Sequence, residues 1–320
     1  MTTLPPLPES LFPVDRDGAS RDNPDLFDLL WANPQTRVLP VHRGRVLLEI
    51  QPTQTGANSQ ASLRLFEVDQ ISSASFRVYL GKVNAMDGQL AGAPIVLAAL
   101  TDNSATLLEP DSELWHDVRK SRVALNERDS ALYLSALAMT NFHQNHIHCS
   151  HCGKPTMIQQ GGWSRRCFDD NRQTFPRTDP AVIVAVSDHE DRILLGSQGV
   201  WEENRWSILA GFVEAGESLT AAAVREVEEE SGVRIGDLEY VGSQAWPFPN
   251  SLMVGFRAKA DPSVGVQQPT PDGVELVKVR WFTRTEIREG LAAGNLILPG
   301  PITIARVLIE DWFGGPYDVA

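Results

Sequence analysis

Between Gly211 and Val233 the chain reads GFVEAGESLTAAAVREVEEESGV, a loop carrying two glycines and Glu217, then a helical run ending in four glutamates within five positions. Ser218 fits an N-cap, Leu219 to Ser231 the helix, and Gly232 the left-handed residue that ends it. At roughly 100° per residue, Glu226, Glu229 and Glu230 fall within about one third of the circumference, while Glu228 points away. Leu219, Ala222 and Ala223 project from that same side. Carboxylates normally lie opposite an apolar stripe, so this face is expected to point into a pocket.

Acids held inward need a partner. Like charges about 4 Å apart repel by roughly 4 kcal/mol at an effective dielectric of about 20. Clustered carboxylates on a semi-enclosed face therefore call for protonation or a cation, and their oxygens suit Mg²⁺ or Mn²⁺, which also bind substrate phosphates. Arg225 is placed to pair with Glu229 or to brace Glu217. A solvated acidic helix would also read REVEEE; the ordered glycines, glutamate and arginine around it favour the metal-binding reading.

Gly211, Glu217, Arg225, Glu226, Val227, Glu229, Glu230, Gly232 and Val233 match the Nudix box without a mismatch, so the chain resembles the Nudix superfamily. The resemblance implies a loop–helix–loop on an α/β/α sandwich with a mixed sheet, and hydrolysis of a nucleoside diphosphate linked to another group.

Downstream lies SQAWPFPNS, residues 243–251. Its prolines fix the backbone on either side of Phe248, and Trp246 and Phe248 offer flat faces for an adenine or nicotinamide ring. Gln244, Asn250 and Ser251 supply donors and acceptors; a hydrophobic corner between strands is the plainer alternative. The stretch resembles SQPWPFPxS of the NADH pyrophosphatase branch, with Ala245 in place of a proline. From roughly Cys149 onward the motifs occur in that branch's order. The resemblance implies a substrate site from Phe175, Gln244, Ala245, Trp246, Pro247, Phe248, Pro249, Asn250, Ser251 and Ala305. It also implies metal ligands at Glu226, Glu229, Glu230, the Ala210 carbonyl and a distal Glu275, and a homodimer with residues of both chains at the site. The implied reaction splits NADH or NAD⁺ into nicotinamide mononucleotide and AMP, with Glu229 or Glu230 as base and Arg225 beside them; members also remove NAD caps from RNA. ADP-ribose or a dinucleoside polyphosphate as substrate, and a non-catalytic NAD(H) sensor, are the alternatives.

Cys149, Cys152 and Cys167 are the three cysteines, in a C-x-x-C knuckle and a third thiol beyond a Gly-rich loop. This is a zinc-ribbon layout rather than a disulfide pattern. Asp170 stands where a fourth cysteine would complete it; Asp170, His151 and His148 are the candidates for the missing ligand, and a turn with free thiols is the alternative.

The 320-residue length suggests more than one core. The segments read as an N-terminal α/β domain, Nudix-like by architecture or a scaffold (1–146), a zinc-ribbon-like linker (147–178) and the Nudix domain (179–320). Strand-like runs occupy 45–51, 62–68, 75–83 and 93–101, then 181–187, 192–198, 239–244, 252–260 and 274–282. Helices are expected at 115–146, 283–293 and 302–313, with an extended arm up to about Asp25 and no internal repeat. A formal charge of −13 argues against a general nucleic-acid binder but not against an anionic substrate held by metal. The start, MTTLPPLPES, lacks the basic and apolar stretches of a signal peptide, and no run is long enough to span a bilayer, so a reducing cytoplasm is expected.

Overall fold

A computed structural model describes residues 14–51, 60–84, 90–119 and 124–317. These fall into two compact units, 178–246 with 251–317, and 14–177 with 247–250.

In the N-terminal unit, β-branched runs broken by glycine, asparagine and proline form strands. These are β1 (Val14–Asp15), β2 (Arg37–His42), β3 (Arg45–Gln51), β4 (Gln60–Leu63), β5 (Phe76–Val83), β6 (Pro94–Ala99), β7 (Trp115–His116) and β8 (Ala124–Leu125). Their order is β1-β5-β6-β2-β3-β4-β8, with β7 added on β3. Helices α1 (Leu26–Ala32), α2 (Asp102–Leu108) and α3 (Glu127–Asn145) accompany the sheet. Leu132, Ala136 and Met139 of α3 share a core with Val78 and Leu80 of β5 and Leu97 of β6.

Two expectations fail here. The helix expected from residue 115 starts only after Asn126, whose side chain accepts the Asp129 N–H; Trp115–His116 and Ala124–Leu125 pair instead as β7 and β8. Partner strands distant in sequence override the local helical pattern there. The expected arm is docked from residue 14 on, since Val14 and Asp15 pair with Val83 and Lys82 of β5; residues 1–13 lie outside the described residues.

The same unit includes the cysteine segment, a small antiparallel sheet of β9 (Thr156–Gln159), β10 (Ser164–Cys167) and β11 (Gln173–Thr174). Within the unit, the buried Arg165 guanidinium donates to the Thr156 carbonyl and to His143 Nδ1, tying ribbon to α3. Burial pushes His143 down to about 4, so this imidazole stays neutral beside the arginine.

The C-terminal unit contains β12 (Asp179–Ser187), β13 (Ile193–Gln198), β14 (Leu209–Phe212), α4 (Leu219–Ser231), β15 (Ile235–Trp246), β16 (Ser251–Ala260), β17 (Leu276–Phe282), α5 (Arg284–Ala292) and α6 (Ile304–Phe313). The sheet runs β15-β16-β12-β13-β17, with β14 also on β12 and a parallel pairing between β12 and β16. Strand β12 is apolar almost throughout because both its faces are covered. Val182, Val184 and Val186 join Ala222, Ala223 and Val227 of α4, whereas Ile183 and Ala185 join Ile287 of α5 and Ile304 and Leu308 of α6. A mixed sheet between helical layers, the α/β/α sandwich, is what this alternation requires.

The two larger sheets share a pairing plan that sequence did not disclose. Hairpin β5–β6 runs parallel to β2, which pairs with β3; hairpin β15–β16 runs parallel to β12, which pairs with β13. No helix among the described residues is long and apolar enough to cross a membrane.

Leu308 is fully buried under β12. Leu308→Ala should cost about 2–5 kcal/mol by deleting core volume. Urea unfolding followed on the C-terminal unit checks this; a loss well under 1 kcal/mol would contradict the two-sided packing.

Candidate active site and zinc centre

Strand β14 delivers the chain into the loop before α4. A Cβ at Gly211 would overlap the Glu226 carboxyl, so only glycine lets the backbone lie against that acid. Gly216 turns the loop at φ +89°, Ser218 caps α4 by accepting the Ala221 N–H, and Gly232 ends it at φ +68°.

Arg225 organises the loop. Its Nε and Nη2 donate to the two Glu217 oxygens at 2.9 and 2.8 Å, Nη1 to Glu226 and Glu229 at 2.9 Å each, and Nη2 to the Phe212 carbonyl at 2.9 Å. All the guanidinium N–H groups are thereby engaged. The two placements open from sequence, on Glu229 and on Glu217, are both realised. The arginine, helped by the Glu214 N–H, holds the Glu217 carboxyl down to about 2, and Glu217 in return raises Arg225.

The glutamates divide by depth. Glu226 and Glu230 are buried, Glu230 to 3% exposure, while the Glu229 side chain is 61% exposed. Burial raises Glu226 against the pull of Arg225. Burial also pushes Glu230 up to about 8, assisted by the charges of Glu226, Glu275 and Asp272 and opposed by the Ala210 N–H. Glu230 Oε2 has no hydrogen-bond partner. The inward-facing acids expected from the helix pattern are therefore Glu226 and Glu230; Glu229 sits at the rim, and Leu219, 38% exposed, does not join the apolar face, because the first turn projects beyond the sheet. Glu275 is exposed yet acts on both buried acids through its charge.

Sequence reading passed over Asp272, whose carboxylate accepts the Val274, Glu275 and Leu276 N–H groups and shapes the turn that presents Glu275. Its signal was the Asp-Gly dipeptide at 272–273.

A buried carboxyl with an orphaned oxygen, beside a second buried acid and two further negative charges, fits a divalent cation by its donor chemistry. Glu226 and Glu229 face Arg225 rather than converging on one point. That spread suits ions shared with a substrate's phosphates better than an all-protein cage.

The proposed substrate residues fare differently. Gln244 is buried, and its amide donates to the Ile302 carbonyl at 2.8 Å and accepts the Ile304 N–H at 2.7 Å. Expected to face substrate, it instead secures the start of α6, whose first N–H groups need acceptors. Ala305 is buried in the core beneath α6. Trp246 pairs with Ser251 across the β15–β16 hairpin, Ala245 is exposed, and Trp246 and Ser251 are half-buried. Phe175 is 57% exposed in its own unit. Residues 247–250 group with the N-terminal unit, where half-buried Phe248 packs against the core and Arg119 covers its ring at 5.1 Å. Phe248 is thus an anchor rather than the freely offered face expected of it; buried Pro247 precedes it, while Pro249 is exposed and Asn250 half-buried.

In the ribbon, one ligand atom each from Cys149, Cys152, Cys167 and Asp170 lie within 4.8 Å of one another. The Arg172 N–H holds Asp170 down to about 2, so it is a carboxylate, and His151 hydrogen-bonds it at 3.1 Å. Three sulfurs and one anionic oxygen fit a tetrahedral structural zinc. Of the candidates for the fourth ligand, Asp170 is the one brought into the cluster; His151 lies behind it, and His148 pairs with Pro155 in an isolated β-bridge.

Comparison with known proteins places a NUDIX domain at residues 177–298 and an NADH pyrophosphatase zinc ribbon domain at 144–175. The NAD-capped RNA hydrolase NudC of Mycobacterium tuberculosis is 45% identical over 204 residues, 61% of this chain and 64% of the relative. The human NAD-capped RNA hydrolase NUDT12 is 34% identical over 210 residues, 62% of this chain and 44% of the relative. The match spans less than two thirds of either relative's length. Among solved structures, a NUDIX hydrolase from Nitrosomonas europaea aligns over 53% of this chain and 94% of its own, at 23% identity and a TM-score of 0.39.

The raised Glu230 carboxyl gives a signed pH prediction. In metal-free protein it keeps its proton when folded and loses it on unfolding, so its contribution to stability falls as pH rises from about 4.5 to about 8. The melting temperature of metal-free protein should decline across that window, less steeply in Glu230→Gln, and Mg²⁺ should restore it at the upper end. A profile identical in the variant would contradict the placement. For the ribbon, Asp170→Ala should lose zinc to a chelator that leaves the parent loaded, and Asp170→Cys should keep it; zinc retained equally by Asp170→Ala would remove the carboxylate from the ligand set.

Proposed function

With residues 177–298 forming a NUDIX domain behind an NADH pyrophosphatase zinc ribbon, we propose that this protein hydrolyses the pyrophosphate of NADH or NAD⁺ to nicotinamide mononucleotide and AMP, and cleaves the same bond in NAD-capped RNA. The observation that carries the reading is the buried Glu226–Glu230 pair with its orphaned oxygen, an excess of acid that divalent cations would offset, the same cations serving a diphosphate.

Glu226, Glu229 and Glu230, with Glu275 and the Ala210 carbonyl, would hold Mg²⁺ or Mn²⁺. When bound, these ions neutralise the diphosphate, acidify a water and stabilise the leaving phosphate. Water adds to one phosphorus, the bond to the bridging oxygen breaks, and the water's proton passes to a glutamate carboxylate. Glu229 at the rim and Glu230 at the base of the face are the two candidates for that base. Arg225 holds Glu217 at 2.8 Å and Glu229 at 2.9 Å, one carboxylate on each side of itself. Trp246, the 247–250 loop and Phe175 are the proposed substrate residues, with Trp246 to stack on a ring of the dinucleotide. A homodimer, and a reducing compartment such as the cytoplasm, complete the proposal; the three unpaired cysteines suit the latter.

ADP-ribose is the second reading, favoured by one observation: with Phe248 packed into its own unit, fewer aromatic faces remain for a second ring.

AMP release from NADH, NAD⁺ and ADP-ribose, measured side by side with Mg²⁺ or Mn²⁺, decides between them. NADH or NAD⁺ should be preferred; preference for ADP-ribose would overturn the first reading. Glu229→Gln and Glu230→Gln should each lower kcat by about 10²–10⁴-fold while leaving the fold intact. Unaltered turnover in both would refute the assignment of these acids.

A further inference from the structure

We propose that Asn141, on α3, is a positioning residue that fixes the shape of the 247–250 loop and, through that loop, affects how tightly the dinucleotide is held. The inference rests on the reading above, in which that loop contributes to the substrate pocket.

The Asn141 amide donates to two carbonyls, Pro247 O at 3.0 Å and Pro249 O at 2.7 Å. Both bonds come from Nδ2, whose two hydrogens diverge at a fixed angle in the amide plane. One planar group thus sets the separation of two carbonyls that flank Phe248. Prolines at both positions have no N–H, so the loop cannot be tied there by its own backbone donors. Between the two carbonyls, the Phe248 ring packs on the N-terminal core and lies under the Arg119 guanidinium. The loop is therefore gripped at consecutive points by the unit to which its fold assigns it.

Asn141 is half-exposed and carries no part of the core of α3, whose buried positions include Leu137, Met139 and Phe142. Its two acceptors are far away in sequence, which a residue serving only its own helix would not require. The Trp246–Ser251 pair closes the hairpin at the base of the loop, and Asn141 adds two bonds at its tip. The site so described contains no ligand contact of Asn141 itself, and its effect on substrate passes through the loop.

Substitutions at 141 separate geometry from bulk. Alanine removes the donors, aspartate turns oxygens toward the two carbonyls, and glutamine keeps the amide but lengthens its reach. The test uses the full chain, with NADH affinity read from NADH fluorescence without metal, and KM and kcat read separately with Mg²⁺. Asn141→Ala should weaken NADH binding and raise KM by about tenfold, with kcat within about threefold of the parent. Asn141→Asp should be worse, and Asn141→Gln should recover part of the loss. Unchanged NADH affinity and KM in Asn141→Ala and Asn141→Asp, whatever their melting temperatures, would overturn the proposal; so would a fall in kcat at constant KM. If the parent itself does not cleave NADH, the substrate reading fails separately, and the role of Asn141 is then decided by the same KM-against-kcat split on ADP-ribose.

Discussion

Two carboxyl groups taken out of water on one face of α4 set the terms for everything around them. Glu226 and Glu230 share the buried side of α4 with Ala222, Ala223 and Val227, which fasten the helix to β12, so the acids cannot leave without the helix leaving too. Leaving a buried acid unpaired costs far more than a surface charge gains, and the protein answers in three ways. Arg225 neutralises the Glu226 side, Glu230 keeps a proton through its raised pKa, and Gly211, having no side chain, leaves room for the Glu226 carboxyl. None of these satisfies Glu230 Oε2. The geometry is complete only with an added positive charge.

The rest of the fold keeps that face in place. Because β12 alternates Val182, Val184 and Val186 toward α4 with Ile183 and Ala185 toward the opposite layer, neither helical layer can shift without exposing apolar surface. The N-terminal sheet repeats the same pairing plan, but where the C-terminal unit places the 13-residue helix between β14 and β15, the N-terminal unit has a three-residue 3₁₀ turn, Val68–Gln70, between β4 and β5. The described residues between β4 and β5 thus carry no counterpart of the acidic face of α4. A zinc ion on the Cys149–Cys152–Cys167–Asp170 cluster would add rigidity where strands are only two to four residues long.

What sequence disclosed was local. The bounds of α4 came out residue for residue, because Ser218 and Gly232 signal a cap and a left-handed stop by their own chemistry. Strand β12 was visible as an apolar run, and the knuckle cysteines by their spacing. What stayed hidden depended on partners distant in the chain. Trp115 and His116 look helical until β3 pairs with them, Gln244 looks like a substrate donor until α6 claims its amide, and Phe248 looks like an open ring until the N-terminal core receives it. The choice of Asp170 over His148 and His151 likewise needed the fold of β10 and the loop after it. The N-terminal domain was expected to be Nudix-like by architecture alone, and its strand order stayed hidden because pairing order is a tertiary property that many sequences satisfy.

The central claim, that a cation replaces a proton on a buried acid, is tested most directly by counting protons. Calorimetric titration of Mn²⁺ into metal-free protein near pH 7, repeated in buffers of different ionisation heat, measures how many are released. With Glu230 pushed up to about 8, binding should release close to one proton per site, and that release should vanish in Glu230→Gln. Binding without proton release, or release unchanged in the variant, would contradict the account.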